Sequence, residues 1–214
     1  MTIKKIGHCC LHIHVHGVTI LTDPGRFTEA QNTLTDIDII LITHEHTDHL
    51  HIESLQEVLK HNPHATVVTN SGVGKKLDAM RIPYTILEHT DTLTLKGVAL
   101  QAFDGIHEEI FEEIGQVQNT GYFIADTLFY PGDSFCKPAN RSVNVLALPV
   151  AGPWCRIADA IRYCLAVKPQ KAFPVHDGML EPHNLGLVHT IPQQVVTAHG
   201  IEFVPLRAGD EKEF

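Results

Sequence analysis

The alternation of apolar and polar residues near the start of the chain predicts strands of a sheet. From Cys9 to Val15, apolar residues alternate with His12, His14 and His16, which places the imidazoles on one face of an extended segment. We interpret that face as the solvent side of an edge strand. From Ile37 to Ile42 the chain is almost continuously apolar, which is typical of a strand buried on both faces. The start of the chain therefore predicts a sheet that contains both kinds of strand.

Apolar residues at helical spacing predict helices in both halves of the chain. The segments Leu50–His61 and Ile157–Leu165 each carry one apolar face. Ser71 is the expected N-cap of a helix that continues to Met80. The last helix is expected to begin with Thr190 as its N-cap and to end before Gly200. Helices thus alternate with strands at the start of the chain and return near its end.

The middle of the chain predicts hairpins and further buried strands. An acidic segment between the hairpins, Glu108 to Gly115, is expected to be a flap or a short helix. Two sets of strands with helices in both halves favour sheets packed together with helices outside, in a single domain that spans residues 1–214. The predicted strands of this region are Leu93–Leu95, Val98–Phe103, Tyr122–Ile124, Leu128–Tyr130, Asn144–Val150 and Lys171–Val175.

The composition is that of an acidic protein with an unusual amount of histidine. Lys and Arg number 16 against 25 Asp and Glu, so the formal net charge is −9. The basic residues are scattered, and we expect no nucleic-acid partner because phosphate binding requires a basic face. No apolar run is long enough for a bilayer, no signal peptide is visible, and the five cysteines suggest no disulfide framework. We therefore expect a cytoplasmic protein without a membrane partner, whose 16 histidines are the feature to explain.

The segment that follows the Ile37–Ile42 strand carries the most specific chemistry. It places His44, His46 and His49 beside the carboxylate of Asp48. Two histidines two positions apart cannot both reach one metal ion from a helix face, but they can from an extended segment. Imidazole and carboxylate ligands suit Zn²⁺, Mn²⁺ or Fe²⁺. The alternative, a polar entry to a helix, explains Asp48 as a cap but leaves the histidines unexplained.

Three other strand ends are each followed at once by a candidate ligand. His107 follows one predicted strand, Asp133 another and His176 a third. Because functional side chains of sheet proteins collect on loops at strand ends, we expect these residues near the motif. We interpret the scattered histidines as ordinary polar residues at element boundaries, namely His61, His64, His89, His183, His189 and His199.

The sequence His44-x-His46-x-Asp48-His49 resembles the signature of the metallo-β-lactamase superfamily. This resemblance implies a four-layer αββα sandwich of two mixed β-sheets with helices outside, and a cleft for two divalent metal ions along one edge. Within the superfamily the chain resembles short metal-dependent hydrolases and the sugar-phosphate lactonase-like members. The matching stretches also include Gly7-His8, Thr22-Asp23-Pro24, His107, Tyr130-Pro-Gly-Asp133 and Pro174-Val-His176-Asp177.

The resemblance implies a complete set of ligands for two ions, with zinc expected first and manganese or iron as alternatives. Asp23 and His8 are expected beside the ligands or in the cleft. Asp48 is expected to orient the nucleophile as well as to bind metal, and it is the one catalytic residue predicted. The first ion is assigned His44, His46 and His107, the second Asp48, His49 and His176, and Asp133 bridges the two.

The implied reaction is hydrolysis. Two ions about 3.5–4 Å apart share a hydroxide, which attacks a small ester, lactone or phosphoester. His8 and Asp177 are candidates for the acid that protonates the leaving group. Histidine at position 46, where redox di-iron relatives carry glutamate, favours hydrolysis over electron transfer. Two alternatives remain: a phosphodiesterase acting on nucleotides, and a metal-binding scaffold without turnover.

The sequence says little about the substrate, which we expect to be a small molecule. Trp154 and Arg156 follow a buried strand and could line the cleft, or Trp154 could pack under the next helix. Lys137, Arg141 and Arg156 could meet an anionic substrate or could be solvated surface charges. Association into a homo-oligomer is left open.

Overall fold

The computed structural model describes residues 1–214 and contains two seven-stranded mixed sheets. The strands of the first sheet are β1 (Thr2–Gly7), β2 (Cys10–Val15), β3 (Val18–Thr22), β4 (Ile39–Leu41), β5 (Thr66–Thr69), β6 (Thr85–Ile86) and β14 (Glu211–Glu213). Those of the second are β7 (Thr92–Leu95), β8 (Val98–Ile106), β9 (Gln118–Ile124), β10 (Leu128–Tyr130), β11 (Val145–Pro149), β12 (Lys171–Val175) and β13 (Glu202–Phe203). The helices are α1 (Ile52–His61), α2 (Ser71–Met80), α3 (Ile157–Val167) and α4 (Leu185–Ala198).

Each sheet changes from antiparallel to parallel pairing along its width. The first has the order β14-β1-β2-β3-β4-β5-β6, and the pairs from β3 to β6 are parallel. The second has the order β13-β12-β11-β10-β9-β8-β7, and the pairs from β10 to β13 are parallel. Neighbouring parallel strands end at the same edge of their sheet. The segments that follow β4, β10 and β12 therefore leave from such edges.

Apolar side chains join these elements into four layers. The central core lies between the sheets and includes Ile13 and Ile20 of the first sheet and Tyr122 and Phe173 of the second. A second cluster packs α3 and α4 on the outer face of the second sheet, and a third packs α1 and α2 on the first. The expected αββα sandwich is confirmed. None of the helices has both the length and the apolar content needed to cross a bilayer.

Several local expectations were wrong. Helix α4 begins at Leu185 rather than after Thr190, and Pro192 lies inside it. The cap of α2 is Asn70, whose side chain accepts a hydrogen bond from the backbone N–H of Val73. Strand β2 lies between β1 and β3 and is therefore not an edge strand, although its histidine face does point outward, with His14 exposed. The expectation for the acidic segment after β8, a flap or a short helix, is by contrast confirmed by a short 3₁₀ helix, Glu112–Ile114.

Candidate metal centre

The predicted ligands meet at the edge where strands of both sheets end. The loop after β4 carries the motif from His44 to His49, and the residue after β8 is His107. Asp133 follows β10, and His176 follows β12 directly. The facing sheets thus bring together residues that are up to 132 positions apart in the chain, as the separation of His44 and His176 shows. We describe these residues together as the metal centre.

The first group of the metal centre contains His44, His46 and His107, as predicted. One ligand atom from each lies within 4.8 Å of the others. The ring centroids are 4.9 Å apart for His44 and His46, 4.5 Å for His46 and His107, and 5.0 Å for His44 and His107. His44 and His107 are buried, whereas His46 is half-buried and lines the cleft.

The second group contains Asp48, His49 and His176, again as predicted, together with His8. Asp133 lies between the two groups. Its Oδ2 is 3.3 Å from Nε2 of His107 in the first group and 2.7 Å from Nε2 of His176 in the second. Its Oδ1 is 3.1 Å from Nε2 of His49. This is the position that a bridging carboxylate requires.

Hydrogen bonds on the far side of the rings aim the imidazoles at the centre. In four histidines Nδ1 faces an acceptor, so each ring presents Nε2 to the centre. Such partners fix the tautomer and the orientation of a metal-binding histidine. The pairs are His44 with Thr43 Oγ1 at 3.0 Å, His49 with Asp23 Oδ2 at 2.7 Å, His107 with the carbonyl of Glu108 at 2.6 Å, and His176 with the carbonyl of Ala151 at 2.7 Å.

The buried atoms that face the centre have the character of metal ligands. Nε2 of His44, His49 and His176 and Oδ1 of Asp133 are buried and have no hydrogen-bond partner. Buried polar atoms without a partner are rare because they are costly, unless an ion or water satisfies them. Burial also lowers the pKa of His44 well below its usual value, which leaves its Nε2 lone pair free. The donor set of imidazole and carboxylate groups therefore fits a divalent metal ion.

Asp23 supports the centre from behind, as its position in the resemblance implied. Its side chain is fully buried and accepts hydrogen bonds from the backbone N–H and the hydroxyl of Thr43, each at 2.8 Å. It also accepts from Nδ1 of His49 and from the hydroxyl of Tyr130. The carboxylate of Asp23 thereby connects the loop of the metal-binding motif with Tyr130 of the second sheet. Asp23 binds no substrate in this position, because it does not line the cleft.

His8 is held in one tautomer by the backbone. The N–H of Gly178 donates to its Nδ1 at 3.0 Å, so the proton is on Nε2, which donates to Oδ2 of Asp48 at 3.2 Å. Burial lowers the pKa of His8 to about 4, so the ring is neutral near pH 7. A protonated Nε2 has no lone pair for an ion. This geometry makes His8 a partner of Asp48 rather than a ligand or an acid.

Asp177 is unsuited to the acid role considered from the sequence, because its carboxylate is committed elsewhere. It is buried and contacts Nζ of Lys5 and, at 2.7 Å, Nε2 of His189. Burial alone would raise the pKa of Asp177, but the hydrogen bond from His189 and the charge of Lys5 hold it below its usual value. The interpretation of His189 as an ordinary boundary residue is therefore wrong. Neither Lys5 nor His189 was predicted, and no local pattern marks either one.

A buried thiol also lies near the centre. The Sγ atom of Cys9 and one ligand atom each of His49 and Asp133 are within 4.8 Å of one another. Burial raises the pKa of the Cys9 thiol, so it remains protonated near neutral pH. The sequence reasoning did not predict this thiol beside the proposed ligands.

A cleft of about 440 Å³ opens over the metal centre. Trp154 lines it and also donates a hydrogen bond from Nε1 to Oδ2 of Asp133 at 3.1 Å. The same ring contacts Phe135 in the core beneath the helices, so both sequence interpretations of Trp154 are correct. Arg156 does not line the cleft and pairs with Asp159 on the surface. The sequence reasoning missed other residues of the cleft wall: Arg26, Phe27, Ile110 and Met179.

Comparison with known proteins identifies the type of domain. The β-lactamase superfamily domain matches residues 2–176, which include every predicted ligand. Protein Rv0786c of Mycobacterium tuberculosis is 32% identical over 194 residues, which cover 88% of this chain and 90% of that protein. A UPF0173 metal-dependent hydrolase of Alkaliphilus metalliredigens is 26% identical over 192 residues, which cover 82% of this chain and 85% of that protein.

A solved structure supports the architecture. Igni18, a metallo hydrolase from the hyperthermophilic archaeon Ignicoccus hospitalis, matches with a TM-score of 0.74 at 19% sequence identity. The match covers 100% of this chain and 98% of that one. At this identity the likeness shows the fold alone, and the shared fold extends over the whole chain.

Proposed function

The chain belongs to the β-lactamase superfamily, and from that premise we propose that it is a dinuclear metal-dependent hydrolase of a small ester, lactone or phosphoester. The observation that carries this proposal is the position of Asp133 between two groups of histidines. Unpartnered, buried ligand atoms face the same point from both groups. The printed name of the relative from Alkaliphilus metalliredigens, a metal-dependent hydrolase, supports hydrolysis.

The proposed ligands are those that the sequence implied. His44, His46 and His107 would hold one ion, and Asp48, His49 and His176 the other, with Asp133 between them. Divalent ions in these positions would acidify a water molecule near neutral pH and would stabilise negative charge on the attacked group.

The protein's own residues prepare this site. His8 donates a hydrogen bond to Oδ2 of Asp48, which holds this carboxylate beside His49 and His176, where it would orient an attacking water. Asp48 is the more exposed of the two carboxylates, with 19% of its side chain accessible against 2% for Asp133, and it lines the cleft. Nε1 of Trp154 donates a hydrogen bond to Oδ2 of Asp133 and so fixes the orientation of this carboxylate. We therefore assign Asp48 the catalytic role and Asp133 the bridging role.

Metal stoichiometry provides the first test. Purified protein reconstituted with Zn²⁺ or Mn²⁺ should hold about two ions per chain by elemental analysis. Fewer than one ion per chain would contradict the dinuclear centre. His44→Ala should abolish hydrolysis of 4-nitrophenyl esters and lower the metal content. The matched control is His61→Ala, because His61 is exposed at the end of α1 and should leave both unchanged.

The scaffold alternative makes the opposite prediction for turnover. A metal-binding scaffold would hold ions but hydrolyse none of a panel of lactones, thioesters, carboxylic esters and phosphodiesters. The cleft beside Asp48 favours the hydrolase hypothesis over the scaffold hypothesis. A protein that only binds metal does not require a solvent-accessible carboxylate next to the ions.

A further inference from the structure

We propose that the substrate is a compact ester with an apolar body and one carboxylate, and that Arg26 binds this carboxylate at the rim of the cleft. The proposal rests on the proposed hydrolytic function and narrows its substrate class. It assigns a specificity role to a residue that the sequence analysis did not single out.

The backbone fixes Arg26 beside the metal centre. The N–H of Arg26 donates to the carbonyl of Thr47 at 2.9 Å, and the N–H of His51 donates to the carbonyl of Pro24 at 3.2 Å. Between them, a Cβ atom added to Gly25 would lie 1.7 Å from the carbonyl oxygen of Asp48, so only glycine fits. The segment from Pro24 to Arg26 therefore packs directly on the motif loop. Arg26 therefore leaves the backbone beside the loop that carries Thr47 and Asp48, and it lines the same cleft as both.

The guanidinium of Arg26 is available to a ligand. It is exposed and takes part in no salt bridge or side-chain hydrogen bond, whereas Arg141, Arg156 and Arg162 each pair with an aspartate. Unpaired arginines are ordinary on protein surfaces, but Arg26 is the one Lys or Arg that lines the cleft. One guanidinium matches one carboxylate, which it can bind through two parallel hydrogen bonds.

The rest of the cleft wall is apolar. Apart from Arg26, Thr47 and the residues of the metal centre, the lining consists of Phe27, Ile110, Pro153, Trp154 and Met179. Phe27 is 43% exposed and Met179 40% exposed, so both present apolar surface that a bound ligand can cover. Burying such surface stabilises a bound ligand, because it removes apolar area from water.

This lining is a poor match for a polyhydroxylated substrate. Outside the metal centre, the neutral side chains of the cleft wall that can form hydrogen bonds are Thr47 and Trp154, and Nε1 of Trp154 already donates to Asp133. Sugar hydroxyls placed against the apolar residues would lose water without gaining partners, which is costly. A doubly charged phosphate group held away from the metal centre would also find a single cationic side chain, Arg26, on a protein whose formal net charge is −9. A monocarboxylate with an apolar body has no hydroxyl groups to dehydrate, and its single charge matches the single guanidinium.

A matched pair of chromogenic esters tests the preference on the metal-loaded protein. Mono-(4-nitrophenyl) glutarate carries a free carboxylate, and its methyl ester is the neutral control. We expect kcat/KM to be about tenfold higher for the glutarate, the value of one charge-assisted hydrogen bond. The preference should shrink in about 0.5 M salt, because an exposed charge is screened. A sugar-phosphate lactone and bis(4-nitrophenyl) phosphate should both be poorer substrates than the glutarate.

Substitution of Arg26 isolates its contribution. Arg26→Gln should bring the ratio of kcat/KM between the charged and the neutral ester close to one, and Arg26→Lys should retain part of it. Arg207→Gln is the control, because Arg207 is exposed and lies outside the cleft. This control should keep the ratio of the wild-type protein.

Binding provides a second measurement that does not depend on turnover. Trp154 is the single tryptophan of the chain and lines the cleft, so selectively excited tryptophan fluorescence reports on this site. Glutaranilic acid, a stable amide analogue, should bind about tenfold more tightly than its methyl ester, and Arg26→Gln should remove the difference.

The outcomes separate this inference from the proposed function. If the loaded protein hydrolyses none of these compounds, the hydrolase proposal fails, and the fluorescence titration still decides whether Arg26 selects a carboxylate. If the protein hydrolyses esters but shows no carboxylate preference, or if Arg26→Gln leaves the preference intact, the specificity inference is overturned and the hydrolase proposal stands.

Discussion

Nζ of Lys5 lies 2.7 Å from Oδ1 and 2.8 Å from Oδ2 of Asp177, although 172 positions separate the two residues in the chain. Both side chains are buried, and Lys5 also donates to the carbonyl of Pro174 at 2.8 Å. This ion pair attaches the first strand to the segment that carries His176. Because Asp177 follows His176 directly in the chain, the pair stabilises the position of a proposed ligand.

Lys5→Met should be strongly destabilising, by about 3–5 kcal/mol, because it leaves the carboxylate of Asp177 buried without its partner. Urea unfolding with circular dichroism would measure the loss. Lys5→Met combined with Asp177→Leu should recover part of it, since the uncompensated charge is gone. Lys60→Met is the surface control, because Lys60 forms only an exposed pair with Glu57, and its stability should match the wild type. Equal stability of Lys5→Met and wild type would contradict the role of this pair.

Asp23→Asn should lower metal affinity about 10–100-fold, because the amide cannot serve as the anionic acceptor that orients His49. Competition with a chromogenic chelator would give the dissociation constants. Asp36→Asn offers a matched substitution at an exposed position remote from the centre, and it should bind metal as the wild type does. An unchanged affinity in Asp23→Asn would show that the orientation of His49 does not depend on this carboxylate.

Trp154→Phe keeps an aromatic ring in the cleft but removes the N–H that donates to Asp133. We expect metal affinity to fall about tenfold, as for other partners of metal-binding carboxylates. The chelator competition used for Asp23→Asn also measures this effect. If Trp154→Phe binds metal as tightly as the wild type, the hydrogen bond to Asp133 is dispensable.

His8→Gln and His8→Ala distinguish the hydrogen bond to Asp48 from simple packing. The glutamine amide can still donate to Oδ2 of Asp48, whereas alanine cannot. We expect kcat to fall about tenfold or more in His8→Ala, the value of a hydrogen bond to a charged group, and less in His8→Gln. Steady-state kinetics on a 4-nitrophenyl ester would show the difference. Identical rates in the two variants would remove His8 from the positioning of Asp48.

The strand-end positions in the sequence predicted that the seven proposed ligands would be neighbours, and the resemblance to the superfamily implied their roles. Each follows a strand, and parallel strands end at a common edge, so polar residues after such strands are expected to be neighbours. His107 illustrates the limit of this reasoning. Its place after β8 was visible in the sequence, but only the packing of the second sheet against the first brings its ring within 4.5 Å of that of His46.

The start of α4 could not be predicted from its local signals. Thr190, Pro192 and Gln193 have the spacing of a helix N-terminus, but tertiary packing extends the helix back to Leu185. Val188 and Val196 bury the apolar face of this longer helix against the second sheet. Burial of that face outweighs the backbone donor that Pro192 lacks.

The roles of single buried polar residues also could not be predicted from the sequence. Lys5 stands in an alternating strand, and His189 stands near a predicted helix cap, so neither interrupts a pattern. Their role depends on Asp177, which is distant from Lys5 in the sequence and which only the fold brings into contact. Arg26 was missed for a similar reason, because its neighbour Thr47 belongs to a different loop.

The central claim is that two ions share Asp133, and anomalous diffraction from crystals of the zinc-loaded protein tests it most directly. The account predicts two peaks about 3.5–4 Å apart, both in contact with Asp133. One should lie among His44, His46 and His107, and the other among Asp48, His49 and His176. A single peak, or a second peak that does not contact Asp133, would contradict the dinuclear centre.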